Sequence, residues 1–322
     1  MMKINFIIEQ SFGLKYLGCA TVSKQLMDVL IKKGVDVSLN SKDFGFDIVH
    51  AHTFGPLAMS QNKKTTSIIS AHSTPSINTG NIILGDKKFW NPIYQKIYNT
   101  YDYVFAVSNY SIQELKDIGI TKPIYVLENG VNHSFFQYDE EKGQRFREMY
   151  GYVEDEYVVL NVAQVTPRKG IYDFISVAKQ NPDIQFLWIG GFPYFIGSSD
   201  YLKLKTLINH PPSNLSFSGF VEDIIGAYSG SNLLFTPTFR ETFGLTIIEA
   251  DACYLPVITR DLDVFRELFG KNISYGKTVD AFSTIIQEKP KKTKGTLAKK
   301  YDLNRVADDA ISLYEQIISS KK

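Results

Sequence analysis

The sequence predicts an α/β protein made of two doubly wound parallel sheets, and three observations carry that prediction. Short apolar runs alternate with amphipathic stretches along the chain, the pattern of parallel strands flanked by helices. The alternation pauses over a polar, charged and aromatic stretch from His133 to Asp155 and then starts again. A chain of 322 residues is long for one core and natural for two domains.

Taken in order, Lys3 to Ile8 reads as the first strand, followed by a glycine-bearing loop and a helix from Thr21 to Lys33. Val35 to Leu39, Asp47 to His50, Ser67 to Ser70 and Tyr103 to Val107 read as further strands. Ser108 caps a helix over Tyr110 to Ile118, and Ile124 to Leu127 closes the first half. In the second half Tyr157 to Val162 is a strand, Ile171 to Lys179 a helix, and Ile184 to Ile189 a strand ending in Gly190-Gly191. Leu215 to Ser218, Leu233 to Thr236 and Pro256 to Thr259 are later strands, and Leu303 to Ser319 is a final amphipathic helix. The expected division is a first domain over 1–150, a second over 151–300, and a terminal helix over 301–322 packing back toward the first. His133 to Asp155 is read as the interdomain connection. Two such halves facing one another place a cleft at the carboxyl ends of both sheets.

Apolar content of 44% and charge of 21% describe an ordinary globular chain, and a net charge of +1 gives no bulk field for nucleic acid. The two cysteines, Cys19 and Cys253, sit in apolar settings and are expected to be reduced thiols of the cytosol. The N-terminal apolar run is too short for a signal peptide, and Phe186 to Ile196 falls short of the ~20 residues that span a bilayer. The expectation is a chain neither secreted nor membrane-spanning, with peripheral membrane contact left open. The lysine-rich stretch Lys289 to Lys300 reads as a solvated loop or, alternatively, a membrane contact.

The most informative stretch is Arg240-Glu241-Thr242-Phe243-Gly244-Leu245-Thr246-Ile247-Ile248-Glu249. Two carboxylates bracket a glycine turn and the first turns of an apolar helix. With that helix starting near Phe243, Glu249 lies roughly 9 Å along it. Free backbone N–H groups and the positive dipole end near Gly244 suit a diphosphate. A carboxylate on each side then accepts hydrogen bonds from two sets of sugar hydroxyls, the layout of a nucleotide-sugar. Upstream, Asn161 to Gly170 (N-V-A-Q-V-T-P-R-K-G) is a strand end running into a helix start, where Arg168 and Lys169 can neutralise a diphosphate. At Phe217 to Val221 a strand end and turn offer a backbone amide to a base edge.

In spacing, context and order these motifs resemble retaining GT-B glycosyltransferases, family 4 above all, with their E-x7-E signature. The likeness covers about Tyr157 to Phe282. It implies two Rossmann-like domains facing across a cleft. By resemblance, Lys169 holds the diphosphate, Val221 contacts the base, Glu241 the hexose and Glu249 the ribose. Backbone at Phe243, Gly244 and Leu245 cradles the phosphates. One departure stands out: Gln164 occupies the place of an arginine usual in the family, and Arg168 is expected to supply that second charge. The Q-V-x-x-R-K-G form is similar to bacterial synthases that glycosylate diacylglycerol or monoglycosyl-diacylglycerol. Trp188-Ile189-Gly190-Gly191-Phe192, Asn209-His210-Pro211-Pro212 and Arg260-Asp261-Leu262-Asp263 echo the same group.

Two patterns imitate metal sites. Asp261-Leu262-Asp263 resembles the D-x-D of another glycosyltransferase fold, but Asp263 suits a helix cap. His50-Ala51-His52 has no third ligand at the right spacing, and its rings are expected on opposite faces of the strand, at a loop edge. In the first half, Gly18 within Gly13 to Ala20 either lets backbone approach the donor closely, as the resemblance implies, or makes an ordinary αL turn. His72 follows a strand at a sheet's carboxyl edge, where it can donate to a sugar hydroxyl or a developing charge. Glu128-Asn129-Gly130-Val131-Asn132 resembles the family's N-G-V-D turn before the linker.

The expected activity is a retaining, metal-independent hexosyltransferase with His72, Lys169 and Glu241 as catalytic residues. It would use UDP-glucose or UDP-galactose, no cofactor, and a lipid acceptor such as diacylglycerol or monoglycosyl-diacylglycerol on the cytoplasmic membrane face. Phe89, Trp90 and Tyr94 are either an interfacial aromatic patch or core. Alternatives are a polysaccharide or polyprenol-linked saccharide acceptor, a GT-B sugar-nucleotide epimerase, and a catalytically silent binding subunit.

Overall fold

A computed structural model describes residues 2–9 and 18–321. The first elements are β1 (Lys3–Ile7), α1 (Gly18–Lys32), β2 (Asp36–Leu39), β3 (Ile48–Ala51), α2 (Pro56–Gln61), β4 (Thr66–Ala71), α3 (Lys87–Tyr98), β5 (Tyr103–Ala106), α4 (Asn109–Asp117) and β6 (Ile124–Val126). There follow α5 (Glu140–Tyr150), β7 (Val158–Val162), α6 (Ile171–Gln180), β8 (Gln185–Ile189), α7 (Tyr201–Asn209), β9 (Leu215–Gly219), α8 (Ile224–Gly230), β10 (Leu233–Thr236) and α9 (Leu245–Ala252). The last are β11 (Val257–Arg260), α10 (Asp263–Phe269), β12 (Ser274–Gly276), α11 (Val279–Gln287), α12 (Leu297–Lys300) and α13 (Leu303–Ser319).

These elements form two six-stranded sheets, ordered β2-β1-β3-β4-β5-β6 and β12-β11-β10-β7-β8-β9. Every pairing between neighbouring strands is parallel. Central strands such as β4 and β10 are buried along nearly their whole length, which explains why they read as continuous apolar runs. In each sheet the chain winds outward and then returns to the other side of its first strand. The reversals lie between β1 and β3 and between β7 and β10, and sheets of this kind bind ligands at the carboxyl edge of such points.

The chain divides into one unit of Met1–Asn78, Asp86–Asn132 and Tyr301–Lys322 and a second of Thr79–Gly85 and His133–Lys300. The division at residue 150 expected from sequence therefore moves to 132/133, because His133 to Asp155 is not a bare linker. Asp139 caps α5 by accepting from the Lys142 N–H, and the helix lies against α8 within the second unit. Two glycines permit the approach: a Cβ on Gly143 would come within 2.9 Å of the Ser229 carbonyl carbon, and one on Gly230 within 2.6 Å of the Gly143 oxygen. Arg147 fastens the far end by donating to the carbonyls of Gly230 (2.9 Å) and Glu156 (2.7 Å).

In the first unit, α13 contributes Leu303, Val306, Ala307, Ala310, Tyr314 and Ile317 to a core shared with Ile4, Phe6, Ile48, Ile68 and Phe105. Its start pairs with the 128–132 turn: Val131 N–H donates to Tyr301 O and Leu303 N–H to Val131 O. A Cβ on Gly130 would lie 2.8 Å from Leu303 Cα, which is why this turn carries a glycine. Deeper in, the Tyr314 hydroxyl meets His50 Nδ1 at 2.7 Å, and His50 Nε2 meets Ser70 Oγ at 2.8 Å. Tyr314→Phe keeps the ring contacts but strands a buried imidazole nitrogen. It is expected to cost about 1–3 kcal/mol in urea unfolding; an unchanged midpoint would mean another group satisfies His50.

In α3, Tyr94 and Tyr98 are buried and Trp90 packs partly against the core, while Phe89 is exposed. The stretch expected to be either core or an interfacial patch is thus mainly core. Among the described residues no helix is long and apolar enough to cross a membrane.

Candidate active site

Three charged side chains meet at the reversal point of the second sheet. Past β7 the chain makes one tight turn, Pro167–Lys169, which presents Arg168 and Lys169. Past β10, on the neighbouring strand, it reaches Glu241. The two loops are stitched together: Phe239 N–H donates to Arg168 O at 2.8 Å, and Thr238 Oγ1 to the same oxygen at 3.2 Å. Gly170 has φ +78°, and a Cβ there would sit 2.3 Å from the Pro237 carbonyl oxygen. Gly170→Ala is therefore expected to destabilise the protein by 2 kcal/mol or more, on the order of the sum of an αL penalty and a backbone clash. A thermal melt within a degree of the parent would contradict this.

Lys169 Nζ donates directly to Glu241 Oε2, and Arg168 Nη1 lies 3.6 Å from the same oxygen while donating to Arg240 O at 2.9 Å. Arg168 is only 5% exposed, so it is a fixed part of the site wall. Gln164, in the place where the family usually has arginine, lies at the limit of hydrogen bonding from Arg168 Nη2, at 3.5 Å. Burial pulls the Arg168 and Lys169 pKa values down, with Glu241 opposing. Burial also pushes the Glu241 carboxyl up, but Lys169 and Arg168 together outweigh it and hold the group below its ordinary range. Two cations thus share one carboxylate, leaving one positive charge in excess. Arg168 Nε and Thr166 Oγ1 are buried without a hydrogen-bond partner among the described residues.

Gly244, at φ +97°, turns the chain into α9; a Cβ there would come within 2.9 Å of the Phe265 ring. Phe243 is buried, and Leu245 opens the helix. α9 starts two residues later than the sequence indicated, which places Glu249 about 6 Å along it. The Glu249 carboxylate accepts a hydrogen bond from the Tyr228 hydroxyl at 2.8 Å, and burial raises its pKa to about 7. Val221 lies on the loop leaving β9, at the carboxyl edge of the same sheet. Tyr228 and Gly170 were not singled out from sequence. The only available signal for Tyr228 was a tyrosine in an otherwise small, apolar helix, whose hydroxyl needs a partner once buried.

His72 belongs to the first unit. Its Nε2 lies 3.1 Å from His52 Nδ1 and 3.3 Å from Ser23 Oγ, and burial lowers its pKa to about 4, so it is neutral at pH 7. His50 and His52 share one face, with ring centroids 4.1 Å apart, and the expectation of opposite faces is corrected. Residues two apart on a strand point the same way. Buried His50 and His52 and half-buried His72 form a cluster beside a small pocket lined by Val22, Ser23, Leu127, Glu128 and Val306. Among the described residues no group of three His, Cys, Asp or Glu side chains is placed to hold a metal ion. Gly18 opens α1; Gly13 to Leu17, the rest of the expected donor loop, lie outside the described residues.

One further reading changes. Leu262, not Asp263, occupies the cap position of α10; Asp263 is the first helical residue, where its charge suits the helix dipole. Asp261 instead pairs with Arg266 at 2.6 Å. The lysine-rich 289–300 stretch keeps most of its lysines exposed, as a solvated loop does, and is anchored where Lys292 donates to Ser229 O and Ala298 N–H to the Asp251 carboxylate at 2.9 Å.

Comparison with known proteins gives the class of these two parallel six-stranded sheets, the GT-B glycosyltransferases. Residues 143–305 match the family described as glycosyl transferases group 1, and residues 33–135 match glycosyltransferase family 4. The chain belongs to the group 1 glycosyltransferase family and is a glycosyltransferase. It is 27% identical over 300 residues to a processive diacylglycerol alpha-glucosyltransferase of Acholeplasma laidlawii, covering 89% of this chain and 88% of that protein. It is 31% identical over 238 residues to an alpha-galactosylglucosyldiacylglycerol synthase of Streptococcus pneumoniae, covering 70% of this chain and 63% of that one. Among solved structures, Anabaena Alr3699/HepE in complex with UDP-glucose superposes with a TM-score of 0.80 at 18% identity, over 99% of this chain and all of that one.

Proposed function

We propose that this glycosyltransferase moves glucose or galactose from its UDP-sugar to diacylglycerol or monoglycosyl-diacylglycerol, with retention of configuration and no metal ion. The observation that carries the donor reading is the Arg168–Lys169–Glu241 cluster, with its excess positive charge, at the reversal point of the sheet. In this reading Lys169 and the α9 N-terminus hold the leaving diphosphate, and Arg168 positions Glu241 against the hexose. Glu249 takes the ribose hydroxyls and Val221 the base. The leaving diphosphate takes the acceptor's proton as the hydroxyl attacks from the same face. His72, as a neutral imidazole, hydrogen-bonds a substrate hydroxyl. The acceptor reading draws on the diacylglycerol enzymes to which the chain is similar.

The test is UDP release from UDP-glucose and UDP-galactose with vesicles carrying diacylglycerol or monoglucosyl-diacylglycerol, with and without a chelator. Turnover on one lipid, unaffected by chelation and giving an α-linked product by NMR, is the expected result. Donor consumption without a lipid requirement would overturn the acceptor.

Glu249 gives the reading a pH signature. An ionised carboxylate accepts ribose hydroxyls best, so donor affinity is expected to rise as pH passes upward through about 7. The effect on stability has the opposite sign. The native carboxyl holds its proton to higher pH than the unfolded one, so stability falls as pH rises from the ordinary carboxyl range to about 7. Glu249→Gln should therefore melt higher than the parent at pH 8 and alike at pH 4, while binding the donor more weakly. Equal melting at both pH values would remove the buried-carboxyl argument.

A further inference from the structure

We infer that Ile83, Leu84, Phe195, Ile196 and Leu202 form the surface through which this protein enters the interfacial layer of a bilayer with anionic headgroups. The inference rests on the lipid-acceptor reading above and names the surface that reading requires, which is not the α3 aromatic stretch. All five side chains belong to the second unit and are 65–77% exposed.

The backbone beneath them is tied down. The Thr79–Gly85 segment joins the second unit by lying antiparallel to the 195–199 loop, with a bridge between Ile82 and Ser198. Ile83 N–H donates to Gly197 O at 3.1 Å, Ser199 N–H to Asn81 O at 3.2 Å, and Ser199 Oγ to Ile82 O at 3.0 Å. Asn81 and Ser198 are buried under this pairing. The apolar side chains are thus held outward by ordered main chain, and Leu202 extends them onto the first turn of α7. Single exposed apolar residues are ordinary on a protein surface, but five on adjoining segments are a patch.

The surroundings choose the occupant. Lys203 and Lys205 are exposed on α7 beside Leu202, and each ammonium lies over a tyrosine ring, at 4.5 Å from Tyr172 and 5.9 Å from Tyr201. The neighbouring acid, Asp200, is engaged by the Tyr172 hydroxyl at 2.6 Å. Apolar tips with a collar of lysine and tyrosine match the layering of acyl boundary and headgroups, and the lysines favour anionic lipid. The patch also connects to the donor site, because Gly80 O accepts from the Arg168 N–H at 2.9 Å. The loop that enters the lipid and the loop that carries Lys169 are hydrogen-bonded neighbours, which brings the donor to the plane where a diacylglycerol hydroxyl lies.

The experiment uses the full chain with sedimented vesicles of phosphatidylcholine alone or of an equimolar mixture with phosphatidylglycerol, neither containing diacylglycerol. Leu84→Ser combined with Ile196→Ser is expected to weaken binding to mixed vesicles at least about tenfold. Lys203→Glu and Lys205→Glu should each weaken it about fivefold on mixed vesicles only. Circular dichroism melts matching the parent show that the variants fold. A bimane label on Ile196→Cys should shift to the blue on mixed vesicles. Parent protein that ignores both vesicles, variants that bind like the parent, or a label that stays aqueous would each overturn the surface. So would light scattering in which the double variant splits a parent dimer, since the patch would then join two copies. Vesicle binding lost in the variants without turnover on diacylglycerol keeps the surface and sinks the acceptor. Turnover on diacylglycerol with unaltered binding of the variants does the reverse.

Discussion

Lys169→Ala is expected to lower kcat/KM for the UDP-sugar about 10²–10³-fold, the usual effect of removing one charge-stabilising donor from a reacting centre. The fold should barely register the change, because Glu241 keeps Arg168 at 3.6 Å as a counter-charge. Lys169→Arg is not expected to rescue activity. The ammonium meets Glu241 as a compact point charge beside a buried guanidinium, a geometry that a longer planar fork does not reproduce. Steady-state kinetics with melting curves decides the matter, and a loss under fivefold would remove Lys169 from the chemistry.

Glu241→Ala should act on stability and catalysis together. It leaves the buried Arg168 and the partly buried Lys169 without their shared carboxylate, a loss expected to cost about 3 kcal/mol. UDP supplies the missing negative charge, so UDP should raise the melting temperature of the variant more than that of the parent. Sugar transfer should nonetheless be lost, because the hexose contact proposed for Glu241 goes with the carboxylate. Urea unfolding with and without UDP tests this. A variant stabilised less than the parent by UDP would show that the two cations do not face the diphosphate.

The sequence carried much of the fold because parallel strands advertise themselves. β10 and α13 appear at the bounds the apolar pattern indicates, and β1, β7 and β8 within a residue or so. What stayed hidden depends on distant partners. α5 reads as a charged linker because its packing face is little more than Gly143 and Phe146, and only its fit against Gly230 seats it as a surface helix of the second unit. β12 is three residues long and too short to show a period. At the site, the types and spacing of Lys169, Glu241, Gly244 and Glu249 were legible. Their pairing was not: the ion pair joins residues 72 positions apart, and no local pattern reveals that Arg168 is walled in or that Tyr228 holds Glu249. The histidine cluster was missed for a simpler reason, a misjudged strand alternation at His50 and His52.

The route of the chain through its two units bears on how the protein is made. The first unit recruits Leu303 to Ile317 into the core that covers Ile4, Phe6 and Phe105, whereas the second is complete once Lys300 has been synthesised. On the ribosome the order of maturation is therefore inverted: the later-made unit can close first. The earlier one waits with an apolar sheet face open from the completion of β6 at Val126 until α13 begins at Leu303, more than half of the chain. That interval is when a chaperone has something to hold, and it is why shortening α13 should lower the yield of soluble protein before it touches a single residue of the donor site.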